Sequence, residues 1–421
     1  MTSADVVGPD RAPPLEEEQL PTGLRGAWER TKLNVRTGNL GPVPLIVGEV
    51  AVVIIFGLTA TNFFTSTNFV NLITQTAGTC MLAYGVVFVL LLGEIDLSIG
   101  FLAGIGALVV AELQLPGGSW QMNGLLAMLL AVAVCTLIGG VQGSIVAIVG
   151  VPSFVVTLGG FLIWQGVILN TLEQRRTIII QDRWINYTDL YIFSPLAGWV
   201  IAAIFTSLYP FSVLYRKIVA RGTQIAQQSW TSATLKTIGI GIAAFGTVAV
   251  ANNAKIISTP LGLPLPGVLM VLFFVLLTFL AKWTTFGRHV YAVGGNAEAA
   301  RRSGINVPRV RVIVFALSGA MAAIGGIIFA AQVNSVALTF PPGNLLLNAI
   351  AAAVIGGVSL FGGRGEVRGA LLGAILIGTL QNGLNTLSIS NGWIYIVTGL
   401  VLLAAVTLDT VAVRLQARSG R

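Results

Sequence analysis

The sequence predicts an all-α, polytopic transmembrane helical bundle of about 10–12 spans with a broken or re-entrant helix region, and three features of the chain predict it. Hydrophobic residues make up 55% of the 421 and charged residues only 10%, with a mean hydropathy of +0.86, whereas soluble domains carry about 25% charge. Apolar runs of the roughly 20 residues that a 30 Å hydrocarbon core demands recur from about residue 43 to residue 410. They are continuous, where a closed β-barrel would give short alternating segments. The 50 glycines suit helices that associate in lipid by close backbone approach.

Residues 1–40 are polar, include Glu16-Glu17-Glu18, and lack the apolar stretch and small-residue cleavage site of a signal peptide. They are expected to form a disordered cytoplasmic tail before an uncleaved first span. Twelve candidate spans follow near 43–62, 69–93, 97–115, 124–149, 153–172, 194–214, 237–254, 265–281, 312–332, 345–361, 369–389 and 393–410, making 41–413 the transmembrane domain. Several are short or glycine-rich, so ten full spans with re-entrant pieces is the alternative. Residues 414–421 form a second cytoplasmic tail. Cytoplasmic loops keep Lys and Arg. With the amino terminus inside and twelve spans, 20 of the 24 basic residues fall inside, leaving Arg175, Arg176, Arg183 and Lys255 outside. Both termini are therefore predicted to be cytoplasmic. The +8 net charge then reflects topology and contact with anionic membrane lipid, not nucleic-acid binding.

Several chemistries are excluded. His289 is the sole histidine and borders a basic loop, so a histidine-based triad or a helical metal pair is excluded except through that one residue, which reads as a loop residue. No G-x-x-x-x-G-K-[ST] occurs, so the chain cannot hold ATP by that route. Cys80 and Cys135 sit inside apolar runs, where unpaired structural cysteines belong, and no disulfide, metal or cofactor is implied.

Ionisable groups are scarce between the basic ends, and each is expensive in hydrocarbon unless it faces a cavity or a protein partner. Glu94 and Asp96 stand in Gly93-Glu94-Ile95-Asp96-Leu97-Ser98-Ile99-Gly100, with no basic residue from 37 to 174 to pair with locally. They fit a loop whose acids cap the next helix. They equally fit a broken helix where free backbone groups and hydroxyls meet a polar solute, and the two readings are compatible. Glu49 and Asp409, near span ends, read as dipole or interface residues. Gln381, Asn382 and Asn385 can bond solute hydroxyls or tie helices together.

Between Phe286 and Val307 the run Gly294-Gly295-Asn296-Ala297-Glu298-Ala299-Ala300-Arg301-Arg302-Ser303-Gly304 spells a short helix, capped by Asn296 and stopped by Gly304. On a cytoplasmic loop, such an amphipathic helix is a candidate docking element, although a positive-inside loop would carry similar charge.

These two segments, with Val151-Pro152-Ser153-Phe154-Val155-Val156-Thr157-Leu158-Gly159 and Val354-Ile355-Gly356-Gly357-Val358-Ser359-Leu360-Phe361-Gly362-Gly363, resemble the monosaccharide permeases of bacterial ABC importers, the ribose, arabinose and xylose group, over about residues 60–410. Xylose permeases are further similar in Gln142-Gly143 and in a long insert, 173–263, with two extra apolar spans and the basic loop Arg216 to Lys236. The resemblance implies a multi-pass subunit of the bacterial inner membrane, not itself an enzyme, that carries a monosaccharide inward, D-xylose first. It implies a second permease copy, an extracytoplasmic sugar-binding protein, and a cytoplasmic ATPase with two fused nucleotide-binding halves that holds ATP and Mg. Carried across, Asn296, Glu298, Ala299, Ala300, Arg301, Arg302, Ser303 and Gly304 would form the ATPase coupling helix. Glu94, Asp96, Ser98, Phe154 and Thr157 would lie at or near the translocation path, with Trp164 as a second aromatic for a sugar face. At Asn348 the group usually has an aspartate, which puts an ionic role there in doubt. The alternatives are an ion-coupled secondary transporter using Glu94 and Asp96, or the same ABC architecture carrying another pentose or hexose, a furanose or a nucleoside.

Overall fold

The computed structural model describes residues 43–219, 230–256, 259–260, 262–340 and 344–418. The expected tail 1–40 and the end of the second tail lie outside the described residues, as does the side chain of Asp409. The chain divides into two compact units. The described part of the smaller is 202–219 and 230–244, and the larger takes in the described residues of Gly41–Ile201 and Phe245–Arg421.

In chain order the helices and strands are α1 (Val43–Thr59), α2 (Ser66–Leu91), α3 (Ile99–Leu113), α4 (Gly124–Ser144, continued by a π turn Ile145–Val149), α5 (Ser153–Leu172), β1 (Thr177–Ile179), α6 (Arg183–Leu190), α7 (Pro195–Val219), α8 (Trp230–Asn253), β2 (Lys255–Ile256), β3 (Thr259–Pro260), α9 (Leu265–Trp283), α10 (Thr285–Gly295), α11 (Ala297–Arg302), α12 (Val307–Gln332), β4 (Ser335–Ala337), α13 (Leu345–Ile355), α14 (Val367–Thr386) and α15 (Asn391–Arg418). Among the described residues eight helices are long and apolar enough to cross a membrane: α2, α4 with its π turn, α5, α7, α8, α9, α12 and α14. Four shorter apolar stretches lie in α1, α3, α13 and α15. The chain is thus an all-α multi-pass bundle. At a rise of 1.5 Å per residue, the 11 residues of α13 reach only about half way across a hydrocarbon core.

Helices α2 and α12 form the centre of the larger unit. From Thr76 to Leu91 every residue of α2 is buried, as befits a helix that is apolar on all sides. The one aromatic hydroxyl there, Tyr84, donates to the Met270 carbonyl of α9 at 3.0 Å. Helix α12 crosses α4 so closely that a Cβ at Gly319 would stand 2.1 Å from the Cys135 carbonyl oxygen, which is the small-residue route to helix association without a hydrophobic drive. On the periphery, Leu58, Leu137, Ile148 and Leu162 are exposed, presenting the apolar belt expected toward lipid.

The two ends of this unit differ. At one, β1 pairs antiparallel with β4 through Thr177↔Ala337, Ile178↔Val336 and Ile179↔Ser335, burying Ile178 and Val336. At the other, the α2–α3 connection, the α10–α11 corner and the α13–α14 connection meet. In the smaller unit, Lys217 Nζ lies 3.6 Å from the Trp230 ring centroid, a cation–π pair formed at the basic loop of the insert.

Candidate functional site

The corner between α10 and α11 is built by its caps. Thr284 starts α10 by accepting from the Gly287 amide at 3.1 Å. The Asn296 side chain accepts from the Ala299 amide at 2.9 Å, so one residue both breaks the chain from α10 and begins α11. Glu298 holds Arg301 at 3.0 Å and Arg302 at 3.1 Å, and Ser303 Oγ donates to the Ala299 carbonyl at 3.0 Å. Gly304, at φ +85°, ends the helix. Hydrogen bonds from Arg301 and then Arg302 keep the Glu298 carboxyl below its ordinary value, and Glu298 in turn raises Arg301. Ala300 is buried and Ala297 packs partly against the core, whereas Glu298, Arg301 and Arg302 are exposed. The eight residues expected to couple therefore make one capped, charged, outward-facing element.

Its base is pinned by backbone. A Cβ at Gly294 would stand 1.7 Å from the Leu91 carbonyl oxygen and 2.9 Å from the Gly363 amide nitrogen, and the Gly363 amide donates to Leu91 O at 2.9 Å. The sequence segments around Gly93, Gly294 and Gly362 thus converge on one junction. Nearby, Tyr291 donates to the Gly365 carbonyl at 2.8 Å, and burial followed by the Glu366 charge raises its pKa. Glu366 pairs with Lys282 at 3.0 Å and with Arg368.

The junction leads directly into the acidic segment. Glu94 is paired with Arg311 of α12 at 3.1 Å, a partner more than two hundred residues away. Asp96 is buried, and both of its oxygens are used: Oδ1 accepts from the Ser98 amide at 3.0 Å and the Ser98 hydroxyl at 2.7 Å, and Oδ2 accepts from Ser318 of α12 at 2.8 Å. Ser98 Oγ also lies 3.1 Å from Gln142 Oε1 of α4, while Gln142 Nε2 has no partner. With the single Ser98 proton committed to Asp96, that amide meets Ser98 best through its NH2 edge. From α5, Ser153 Oγ accepts from the Ile95 amide at 3.2 Å, and Thr157 Oγ1 lies 2.8 Å from the Ser153 carbonyl and 3.2 Å from that of Ile95. Glu94, Asp96, Ser98 and Thr157 are therefore brought together as a polar knot tying the α2–α3 break to α4, α5 and α12.

The remaining predicted path residues lie apart. Phe154 is 52% exposed on the outer face of α5. Trp164 is half-buried with its indole N–H unpartnered. Asn348 is buried on α13 with its Oδ1 unpartnered, facing a cavity away from the knot. Asn382 ties helices, exchanging bonds of 2.9 and 3.0 Å with Asn68, and Glu49 accepts from Thr379 at 2.8 Å. Residue-by-residue reading missed Arg311 and Ser318, whose only signal in the sequence is that unpaired acids in an apolar region require distant partners. Among the described residues no three His, Cys, Asp or Glu gather where a metal ion could sit.

Comparison with known proteins bears on this geometry. Residues 68–406 match the family model described as branched-chain amino acid transport system / permease component. The chain is 34% identical over 372 residues to the xylose transport system permease protein of Haemophilus influenzae, covering 87% of this chain and 96% of that one. It is 34% identical over 380 residues to the Escherichia coli K12 xylose transport system permease protein, covering 89% and 93%. To the ribose import permease protein of the same strain it is 32% identical over 363 residues, covering 86% and 92%. No solved structure matches significantly.

Proposed function

Because the chain belongs to the branched-chain amino acid transport system / permease component family, and within it to the sugar permeases of the ribose and xylose group, we propose that it moves D-xylose inward across the bacterial inner membrane. The work is driven by a cytoplasmic ATPase carrying two fused nucleotide-binding halves. Membership of this group brings an ATPase and a substrate-binding protein as partners; a second copy of this permease completes the proposed assembly. Both termini face the cytoplasm in this reading. Arg288, Arg301, Arg302, Arg309, Arg311, Arg364 and Arg368 belong to the end with the α10–α11 corner, which supports that end as cytoplasmic.

The observation that carries the reading is α11: a charged, capped and exposed helix whose base touches the α2–α3 break through glycine backbone. A groove in the ATPase would receive it. Closure of the nucleotide-binding halves would then push on the Gly93–Ser98 segment and exchange an outward for an inward opening. The chain needs no tight sugar site, since the binding protein supplies selectivity. An ion-coupled mechanism needs a carboxylate able to take up the ion; the Arg311 pairing of Glu94 and the two occupied oxygens of Asp96 weigh against it.

The test is uptake of labelled D-xylose into vesicles containing permease, ATPase and binding protein. Replacing Glu298 by Lys should abolish uptake and leave the permease in the membrane. Wild-type uptake by that variant would defeat the coupling role of α11. D-Ribose competing better than D-xylose would change the cargo and leave the mechanism standing.

A further inference from the structure

Helices α2, α12, α13, α14 and α15 line an open cleft of about 210 Å³, well above the ~30 Å³ share of one water. It lies toward the end of the bundle closed by β1 and β4, away from the α11 corner. Six carboxamides form its wall: Gln75, Gln332, Asn344, Asn348, Gln381 and Asn385. Phe329 and Tyr395 add aromatic surface, and Thr79 adds a hydroxyl. None of the described lining residues is Asp, Glu, Lys, Arg or His.

The amides of this region divide into two kinds. Asn382 is consumed by structure: it is locked to Asn68 and donates to Gln75 Oε1 at 3.2 Å, which leaves the NH2 group of Gln75 free for the cavity. Asn348 is the reverse case, 6% exposed with a carbonyl oxygen that meets no donor. Leaving such a group unsatisfied in a protein interior is costly, and a donor arriving in the cavity removes that cost.

We infer that this cavity is the permease's own binding site for an uncharged polyhydroxy solute, with Asn348 accepting from a solute hydroxyl and Gln381 flanking it on α14. A carboxamide both donates and accepts, so a ring of them matches hydroxyls, which do the same, in many orientations. The aromatic surfaces meet the apolar C–H faces of such a solute. A zwitterionic amino acid would bring two charges into a site whose described lining offers no countercharge. The proposal rests on the sugar-permease reading and deepens it, because the membrane subunit here selects neutrality and hydroxyls while leaving finer selection to the binding protein.

The test uses the purified full-length permease in lipid nanodiscs, with saturation-transfer NMR on D-xylose, D-ribose and L-leucine as probes. Saturation should reach a sugar and not L-leucine. Asn348→Leu and Gln381→Leu should each weaken the sugar's apparent affinity about tenfold, the scale of one lost hydrogen bond. Gln381 is only half-buried, so its variant remains informative where Asn348→Leu fails to fold. Asn382→Leu should lower thermal stability with little change in affinity. Unchanged sugar affinity in both cavity variants, equal saturation of L-leucine, or no saturation of either sugar overturns the site. Uptake that proves independent of ATP while the sugar signal survives supports this site and removes only the energy source proposed above.

Discussion

Asp96 illustrates how much one side chain can organise in a dry interior. Its oxygens satisfy the Ser98 amide, the Ser98 hydroxyl and the Ser318 hydroxyl, so Asp96→Ala would strand several buried donors at once, at a cost of about 3 kcal/mol or more. Ser318→Ala removes one bond and should cost about 1–2 kcal/mol. Unfolding midpoints in detergent will rank the two; a neutral Ser318→Ala would contradict the knot. Asp189, on α6 outside the spans, is a different case: burial pushes its carboxyl up to about 6, and its Oδ1 has no partner. Because the folded value exceeds the unfolded one, the native state holds the extra proton between them. Stability should then fall as pH rises from about 4 to about 6 and stay low above. Asp189→Asn should erase that fall and stabilise the protein at pH 7 by about 1 kcal/mol, after allowance for solvent screening. Comparing unfolding midpoints of the two proteins at pH 5 and pH 7 checks the sign. At this scale the sequence exposes the problem but not its solution. Glu94 and Asp96 are visible as unpaired acids in an apolar region, whereas Arg311 and Ser318 become their partners only through the packing of α12.

Among the elements, the α10–α11 corner is where local chemistry and distant packing meet. Its cap at Asn296, its charge pairs and its stop at Gly304 all lie within nine consecutive residues, so the short helix is legible in the sequence alone. What is not legible is that Gly294 lies against the Leu91 carbonyl. Gly294→Ala would place a methyl 1.7 Å from that oxygen, where neither backbone can yield. ATP-driven uptake should drop at least about tenfold, whereas the neighbouring Gly295→Ala, which meets nothing within 4 Å, should retain it. Equal uptake by the two variants would dissociate the glycine junction from coupling. The span pattern is likewise legible, since hydrocarbon thickness sets run length. Strands β1 and β4 are not. Each has three residues, they lie more than 150 positions apart, and no local alternation marks them. Helix α13 stops at Ile355, short of the apolar run that continues to 361, because Gly356-Gly357 turns the chain back toward the junction.

Within the larger unit a cleft of neutral amides lies toward one end and the charged, exposed α11 at the other, with the buried polar knot at the α2–α3 break. Composition gives the membrane, and arginine distribution gives the end that faces the cytoplasm in the proposed topology. Gln381, Asn385 and Asn348 stand out in the chain as polar groups in apolar runs, but their meeting with Gln75, Gln332 and Asn344 is not legible, because those carboxamides come from separate helices. The decisive measurement is accumulation of labelled D-xylose in sealed vesicles, with the permease alone and with its ATPase and binding protein, each with and without ATP. The account predicts uptake against a gradient only in the complete system with ATP; accumulation by the permease alone, driven by an ion gradient, would contradict it.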